Sequence, residues 1–300
     1  MGGGARLMGA LNQLVIGASI GAVLLLAALG LTFTFGQMGV INMAHGEFIM
    51  AGAYTAYVLQ PLAGGQAVLA ALPVAFVVAG LLGLVLERVL IRRFYGRPLD
   101  TLLLTFGVSL ILQQLARDIF GAPNVQVRAP GWLTGGVDLG GLRIPYNRIF
   151  ILVLAVGCVV GISWYLARLK QGRRMRAVMQ NRQLAAVSGV ATERVDQLTF
   201  FVGSGLAGLA GVALTLIGPV GPTLGSAYIV DAFLVVVAGG LGQLRGAVIA
   251  AFTLGVLNSF VEFWTANGAS FAKVVVFAVV IGFLQVRPQG MFVLRSRALS

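Results

Sequence analysis

Charged residues are scarce in this sequence: they make up 10% of its 300 residues, against about 25% in ordinary soluble domains. Hydrophobic residues make up 58%. A chain of this length with so few charges cannot cover a water-exposed surface, which excludes a soluble globular protein. Glycine, at 42 residues, is about twice as frequent as usual, and small residues let membrane helices pack closely. The composition predicts a polytopic membrane protein of the all-α class.

Cysteine and histidine are almost absent, with one residue of each, Cys158 and His45. One cysteine excludes a disulfide framework and a thiolate metal site, and one histidine excludes a histidine-cluster metal site. The sequence has no G-x-x-x-x-G-K-[ST] motif, so we do not expect it to bind nucleotide through a P-loop. No nucleophile–base pair has workable spacing either. We therefore expect no bound cofactor and no enzymatic activity.

Apolar stretches recur along the whole chain, and about 20 residues suffice to span a bilayer. They are 11–35, 38–60, 66–87, 99–120, 149–167, 197–217, 229–243, 247–264 and 271–286. The second is ambiguous, because a straight helix from Leu31 to Tyr57 would be about 40 Å long. Gly36, Gly39 and Gly46 interrupt it. The sequence predicts a single transmembrane domain over 1–300, a helical bundle of about eight or nine spans, one of them broken or re-entrant.

The positive charges are concentrated in a few connections. Lysine and arginine number 21 against 9 acidic residues, a formal net charge of +12. Most lie near 88–97, 168–194, 245 and 287–297. Alternating spans place these four segments on one side, which the positive-inside rule assigns to the cytoplasm. Nine spans put the N-terminus outside, and eight put it inside. Membrane topology thus accounts for the charge without nucleic-acid binding.

Residues 36–57 contain an Asn, a His and a Glu within six positions of an apolar segment. Ionisable residues inside a membrane are costly and usually face a cavity or a partner. On a regular helix Asn42 and His45 share one face. Viewed down the helix axis, the Glu47 side chain lies about 200° around the helix from that of His45. It shares its face with Tyr54 instead. Two interpretations stay open: a broken helix whose polar residues line a substrate route, or a structural network that fixes the break.

The basic loop 169–197 is a second candidate site. Within it, Met175 to Val190 can form one short surface helix that ends near Gly189. Exposed arginines would orient a cytoplasmic partner, and apolar side chains would be buried against it. These apolar residues are Met175, Val178, Met179 and Leu184. A solvated positive-inside loop is the alternative.

Small residues recur at helical spacing further along the chain. Gly203, Ala207 and Gly211 are spaced four apart, as are Ser204 and Gly208. The run also matches the dinucleotide-binding pattern G-x-G-x-x-G, but no alternation of strands and helices surrounds it. The spacing predicts a small-residue face for close helix–helix packing in the membrane.

Several motifs resemble one transporter family. The run INMAHGE, residues 41–47, continued by Gly52-Ala53-Tyr54, resembles the branched-chain amino acid permease family of ATP-binding-cassette importers. Segments 173–211, 239–246 and 287–290 are similar to the same family. Within it, INMAHGE with GAYTAYVLQ, and MRAVMQNRQLAAVSG through VDQLTF, are most similar to the urea transporter permease branch, which Lys273 also suits.

The resemblance implies one permease subunit of a urea or short-chain amide importer in the inner membrane of a bacterium. It implies a second, homologous permease, two cytoplasmic ATPase subunits that use ATP, and a periplasmic substrate-binding protein. The helix near 175–189 would be the coupling helix of this family. The ATPase contacts that the resemblance implies are Met175, Arg176, Met179, Arg182, Ala185, Ala186 and Gly189. The acidic residue that often opens the pattern is replaced here by Gln183 or Leu184.

Urea is small, neutral, and both a donor and an acceptor, so amide and hydroxyl groups suit its path better than paired charges. The expected substrate-path residues are Thr34, Gln37, Asn42, His45, Glu47 and Tyr54. Two alternatives stay open. One is a branched-chain amino acid permease, in which a half-helix N-terminus would favour the substrate carboxylate. The other is a passive urea or water channel, which needs neither ATP nor partners.

Overall fold

Long apolar helices make up most of the chain in the computed structural model, which describes residues 3–139, 142–265 and 268–292. The helices are α1 (Gly3–Met38), α2 (His45–Ala63), α3 (Ala67–Val89), α4 (Pro98–Phe120), α5 (Tyr146–Arg168), α6 (Lys170–Gln180), α7 (Arg182–Val187), α8 (Thr192–Leu214), α9 (Leu224–Gly239), α10 (Leu244–Trp264) and α11 (Gly268–Val286). An antiparallel hairpin, β1 (Gly136–Leu139) with β2 (Leu142–Pro145), connects α4 to α5. The predicted helical membrane bundle is confirmed.

Six apolar stretches in the described part of the chain are long enough to cross a membrane. One of them, His45–Val89, contains both α2 and α3. Two shorter apolar helices, α9 and the Phe271–Val286 part of α11, add to these. Every predicted apolar stretch therefore overlaps a helix.

The basic connections meet at one end of the bundle. Arg92 forms an ion pair with Glu193, and Gly36, near the end of α1, packs on Gly242 and contacts Met179. The start of α1 therefore lies at the opposite end of the bundle. Two further basic residues of the predicted cytoplasmic side, Arg295 and Arg297, lie outside the described residues.

The second span is broken where glycines interrupt it. α1 ends at Met38, Gly39 has a φ of +63°, and α2 begins only at His45. The Nε2 of His45 lies 3.1 Å from the carbonyl oxygen of Ala27, eleven residues before the end of α1. At 1.5 Å per residue, α2 thus begins about 16 Å inside that end of the bundle. The non-helical segment 39–44 covers this distance, and the second helix starts seven residues later than the predicted 38.

α9 also begins inside the bundle. Its 16 residues extend about 24 Å, less than the hydrocarbon core of about 30 Å. A Cβ added to Gly46 of α2 would lie 2.5 Å from the carbonyl oxygen of Gly225. A Cβ added to Gly225 would likewise clash with the carbonyl oxygen of Gly46. Only glycine fits on either side. The N-termini of α2 and α9 therefore meet in the interior, backbone against backbone.

α8 lies at the centre and brings three helices close together through its small residues. Gly203 packs on Gly30 of α1, where an added Cβ would lie 2.8 Å from the carbonyl oxygen. The other contacts are those of Gly208 with Ala75 and Ala79 of α3, and of Gly211 with Ile49 and Ala53 of α2. Ala207 is fully buried. The face with small residues therefore packs against α1, α2 and α3.

The loop 169–197 contains two helices where the sequence predicts one. Asn181 separates α6 from α7, and its side-chain oxygen accepts a hydrogen bond from the backbone N–H of Leu184 at 2.9 Å. Asn is among the strongest N-caps, so it starts a new helix here. After α7 the chain turns at Gly189, with a φ of +80°, close to the predicted helix end.

Candidate functional site

Polar side chains gather around the first turn of α2. We call this group the α2 N-terminal cluster; its members are Asn42, His45, Glu47, Ser109, Gln113 and Ser226. The Oε1 of Glu47 accepts hydrogen bonds from the Ser109 hydroxyl at 2.9 Å and from the Gln113 amide at 3.0 Å. The same Gln113 amide donates to the Ser226 hydroxyl at 2.9 Å. The cluster therefore ties α2 to α4 and α9.

The carboxylate of Glu47 lies where two helix N-termini meet. It belongs to the first turn of α2, and Gly225 in the first turn of α9 packs against the preceding residue, Gly46. Each N-terminus carries roughly half a positive charge, which favours a carboxylate nearby. Among the described residues, no cation forms a salt bridge with Glu47. Helix dipoles and neutral donors therefore hold this buried acid.

His45 and Glu47 are directed to different helices. His45 contacts the Ala27 carbonyl of α1 through Nε2, whereas Glu47 faces α4. Both side-chain polar atoms of Asn42 and the Nδ1 of His45 are fully buried and lack a hydrogen-bond partner within the described residues. Asn42 lies in the non-helical segment 39–44, not on a helix face with His45 as predicted. Buried polar atoms are nearly always hydrogen-bonded in folded proteins, so these unpartnered groups stand out.

Thr105 of α4 fixes the broken segment from the side. Its hydroxyl oxygen accepts a hydrogen bond from the backbone N–H of Met43 at 3.0 Å and lies 3.3 Å from the carbonyl oxygen of Ile41. Non-helical backbone survives at membrane depth only where protein or water satisfies its polar groups. α4 therefore supplies partners both to the break and to Glu47.

We expect Glu47→Ala to destabilise the protein by about 2 kcal/mol, because the Ser109 and Gln113 donors lose a buried acceptor. Glu47→Gln keeps an acceptor oxygen and loses only the charge beside the helix N-termini, so its effect should be smaller, about 1 kcal/mol. Thermal unfolding of the purified protein in detergent measures both. Equal melting temperatures for the two variants would show that the hydrogen bonds to Glu47 contribute little.

Two other predicted path residues lie outside the α2 N-terminal cluster. Tyr54 is two turns further along α2, and its ring stacks on Phe120 of α4 with centroids 4.1 Å apart. Its hydroxyl is buried and has no hydrogen-bond partner in the described part of the chain. The hydroxyl of Thr34 bonds within its own helix, to the Gly30 carbonyl at 3.3 Å, and its methyl group packs near Gly203. Thr34 therefore contributes to helix packing.

Gln37 belongs to a second polar group, which we call the α1–α7 network: Gln37, Arg182, Asp196 and Thr199. The Gln37 amide donates to Asp196 at 2.9 Å and accepts from the Thr199 hydroxyl at 2.7 Å. Arg182 of α7 donates to both carboxylate oxygens of Asp196, at 3.0 and 2.6 Å. Asp196 is fully buried, so this bidentate pair is a strong one. It connects α7 to α8 and to the end of α1.

An aromatic side chain borders the α1–α7 network. The Arg182 guanidinium lies 5.4 Å from the ring centroid of Tyr95, whose hydroxyl donates to Glu87 at 2.6 Å. Burial, and then the hydrogen bond to Glu87, raise the pKa of Tyr95 far above its ordinary value. The hydrogen bond to Asp196 likewise raises the pKa of Arg182. Tyr95 therefore stays neutral and Arg182 stays charged at physiological pH.

Only part of the expected ATPase contact set lies at the surface. Met175 and Ala185 are buried inside this chain with Val178 and Val195, and Arg182 is bound to Asp196. Met179 is half-buried. The exposed members are Arg176, Ala186 and Gly189, and beside them Leu184 and Val187 expose 58% and 83% of their surface. A partner would therefore meet the outer face of α6 and α7.

Sequence reasoning missed the partners of both polar groups. Ser109 and Gln113 sit one helical turn apart in an apolar span, a local signal that was available. Asp196 was part of a motif, but nothing in it identifies Gln37 or Arg182 as its partners. For metals, the described residues contain no group of three or more His, Cys, Asp or Glu side chains that could hold an ion.

Comparison with known proteins matches this chain to one family of transport proteins. The profile of the family described as branched-chain amino acid transport system, permease component, matches residues 13–284. The high-affinity branched-chain amino acid transport system permease protein BraD of Pseudomonas aeruginosa is 31% identical over 292 residues, covering 93% of this chain and 94% of that protein. The corresponding LivH protein of Escherichia coli is 28% identical over the same shares. The E. coli LivM protein is 26% identical over 262 residues, 79% of this chain and 61% of LivM. No solved structure matches the chain.

Proposed function

Because the chain belongs to the family of branched-chain amino acid transport system permease components, we propose that it is the transmembrane subunit of an ATP-driven importer for urea or short-chain amides. Members of this family are transport subunits, not enzymes, and the chain is a multi-pass membrane protein.

The α2 N-terminal cluster is the observation that carries the choice of solute. It presents amide and hydroxyl groups around one carboxylate, and within the described residues it includes no arginine or lysine. Such groups match a neutral molecule that both donates and accepts hydrogen bonds. Asn42 and His45 keep unpartnered buried polar atoms, and Ser226 extends the cluster to the exposed side of α9. The similarity of the motif INMAHGE to the urea branch supports the same choice.

A branched-chain amino acid is the second candidate solute. The relatives BraD and LivH are named as branched-chain amino acid permeases. The meeting of two helix N-termini at Gly46 and Gly225 would also favour the carboxylate group of an amino acid. Glu47 already occupies that position with its own carboxylate, which is why we prefer a neutral solute.

Energy would come from other subunits. We propose that two cytoplasmic ATPases bind the outer face of α6 and α7 and that a second, homologous permease completes the membrane unit. A periplasmic binding protein would deliver the solute at the opposite face of a bacterial inner membrane. ATP-driven closure would push on α7, and the α1–α7 network would transmit the movement through Asp196 and Gln37 to the end of α1. This end precedes the break at 39–44.

Uptake by the reconstituted complex tests this function. The chain, co-purified with its partner subunits, is placed in proteoliposomes with ATP inside and binding protein outside. We expect labelled urea to accumulate above its external concentration, and labelled leucine to remain at background. Vesicles whose ATPase subunits cannot hydrolyse ATP are the control and should show no accumulation.

Two results would contradict the proposal, each in a different way. Accumulation of leucine without urea would assign the complex to branched-chain amino acids. Urea entry that continues in vesicles lacking the ATPase subunits would indicate a passive channel.

A further inference from the structure

A cavity of about 280 Å³ lies between α1, α9, α10 and α11, outside the α2 N-terminal cluster. Its polar lining consists of Tyr228, Asp231, Asn258 and Lys273. Its apolar lining includes Ile20, Leu24, Leu254 and Val276. The wall therefore combines one acid, one base, a phenol and an amide with aliphatic side chains.

The charged pair of this cavity lies at membrane depth. Asp231 is near the middle of α9, and Leu254, which shares the cavity wall, lies ten residues from either end of α10. Ionised side chains at this depth are costly, so they generally mark a pathway or a binding site. Lys273 nevertheless keeps 55% of its side-chain surface exposed. A lipid-facing ammonium would be unfavourable, so this face must meet water, solute or protein in the importer.

The pair is also loosely joined. The Lys273 Nζ and the Asp231 Oδ2 are 3.7 Å apart, beyond the 2.7–3.2 Å typical of a hydrogen bond. An ion pair with a purely structural role would hold α9 against α11. Such a pair is most stabilising when the two charged groups are in close contact and their remaining polar atoms are hydrogen-bonded. Here donors of Lys273 and acceptors of Asp231 remain available to a third group beside them.

We infer that this cavity is a binding site for the transported solute within the membrane. The solute's oxygen accepts a hydrogen bond from the Lys273 ammonium, and its N–H groups donate to the Asp231 carboxylate. Tyr228 and Asn258 supply further hydrogen bonds. Urea presents this combination at opposite ends of one small molecule, so the charged pair here takes the place of the amide and hydroxyl groups expected along its path. An amino acid presents a charged version of the same combination. The inference of urea as the occupant rests on the proposed function, whereas the site itself does not.

A protection experiment tests the site without relying on transport. The reporter is Ala227→Cys, at an apolar position of the cavity wall, in a Cys158→Ala background, which leaves one thiol in this chain. The assembled complex is treated with a small methanethiosulfonate reagent, with and without urea or leucine. We expect urea to slow labelling at least fivefold. Protection by leucine alone would keep the site but overturn urea as its occupant, and with it the proposed function. Labelling that neither solute slows would overturn the inference, whatever the complex transports.

Charge-neutral variants supply the second test. We expect Lys273→Met and Asp231→Asn to lower urea uptake per ATP hydrolysed at least tenfold, while melting temperature and binding-protein-stimulated ATPase activity stay within twofold of the parent complex. Arg88→Met at the exposed end of α3 and Asp118→Asn at the exposed end of α4 are the matched controls. Full uptake in both cavity variants, or parallel loss of stability and ATPase activity with uptake, would show that the pair only joins α9 to α11.

Discussion

A leucine in place of Gly211 is expected to leave little folded protein in the membrane. A Cβ added at Gly211 would meet the carbonyl oxygen of Ile49 and lie 2.7 Å from the backbone nitrogen of Ala53. Both atoms belong to the backbone of α2, so no side-chain rotation can relieve the clash. Overpacking of a close-packed interior costs about 1–3 kcal/mol or more, and here α2 and α8 would have to separate. The yield of monodisperse protein after detergent extraction, and its melting temperature, measure the effect.

Gly157→Leu on α5 is the matched control, because an added Cβ there meets nothing within 4 Å. Both substitutions replace a helix glycine and raise helix propensity by about 1 kcal/mol. The difference between them therefore reports packing alone. Similar yields and melting temperatures for the two variants would be incompatible with the contact between α8 and α2.

Arg182→Ala is expected to have the second large effect. Arg182 supplies two of the three hydrogen bonds that the buried carboxylate of Asp196 accepts from other side chains. Its loss leaves a buried charge with one neutral donor, which costs about 3 kcal/mol. It also removes the side-chain link from α7 to the end of α1. We expect a lower melting temperature and, in the importer complex, ATP hydrolysis that continues without solute uptake.

The double variant Arg182→Met/Asp196→Leu separates stability from coupling. Apolar replacement of a buried ion pair is often neutral for stability, so we expect its melting temperature to recover most of the loss. The ratio of uptake to ATP hydrolysed should stay low, because α7 remains unlinked from Gln37. A normal ratio in Arg182→Ala, or recovery of the ratio in the double variant, would refute transmission through the α1–α7 network.

Local patterns predict the helices of this protein because each pattern depends on neighbouring residues. Apolar stretches of suitable length correspond to helices, and glycines such as Gly39 and Gly189 lie at turns with positive φ. The division of the basic loop also has a local cause, since the Asn181 side chain caps α7. That signal was present in the sequence, but the helical spacing of the surrounding apolar residues favoured one continuous helix.

The arrangement of the polar groups has no local cause. Glu47 finds its donors 62 and 66 residues away, and Gln37 meets Asp196 across 159 residues. Residue spacing along one helix cannot specify such pairs, because they depend on how separate helices pack. Gln37 and Asn42 are close in sequence, yet the turn at Gly39 directs them to different polar groups. The sequence therefore identifies which polar residues are unusual but does not identify their partners.

The broken second span has a consequence for how the protein enters the membrane. The segment 39–44 contacts Thr105 of α4, and the start of α2 contacts Ser109 of α4 and Gly225 of α9, all synthesised later. Until those helices arrive, the open backbone of 39–44 and the Glu47 side chain lack partners, and exposing them to lipid is unfavourable. The first two spans therefore cannot mature as an independent hairpin. Final placement of α2 must wait until α9 has left the ribosome, so truncation before α9 should leave Gly46 without its packing partner Gly225.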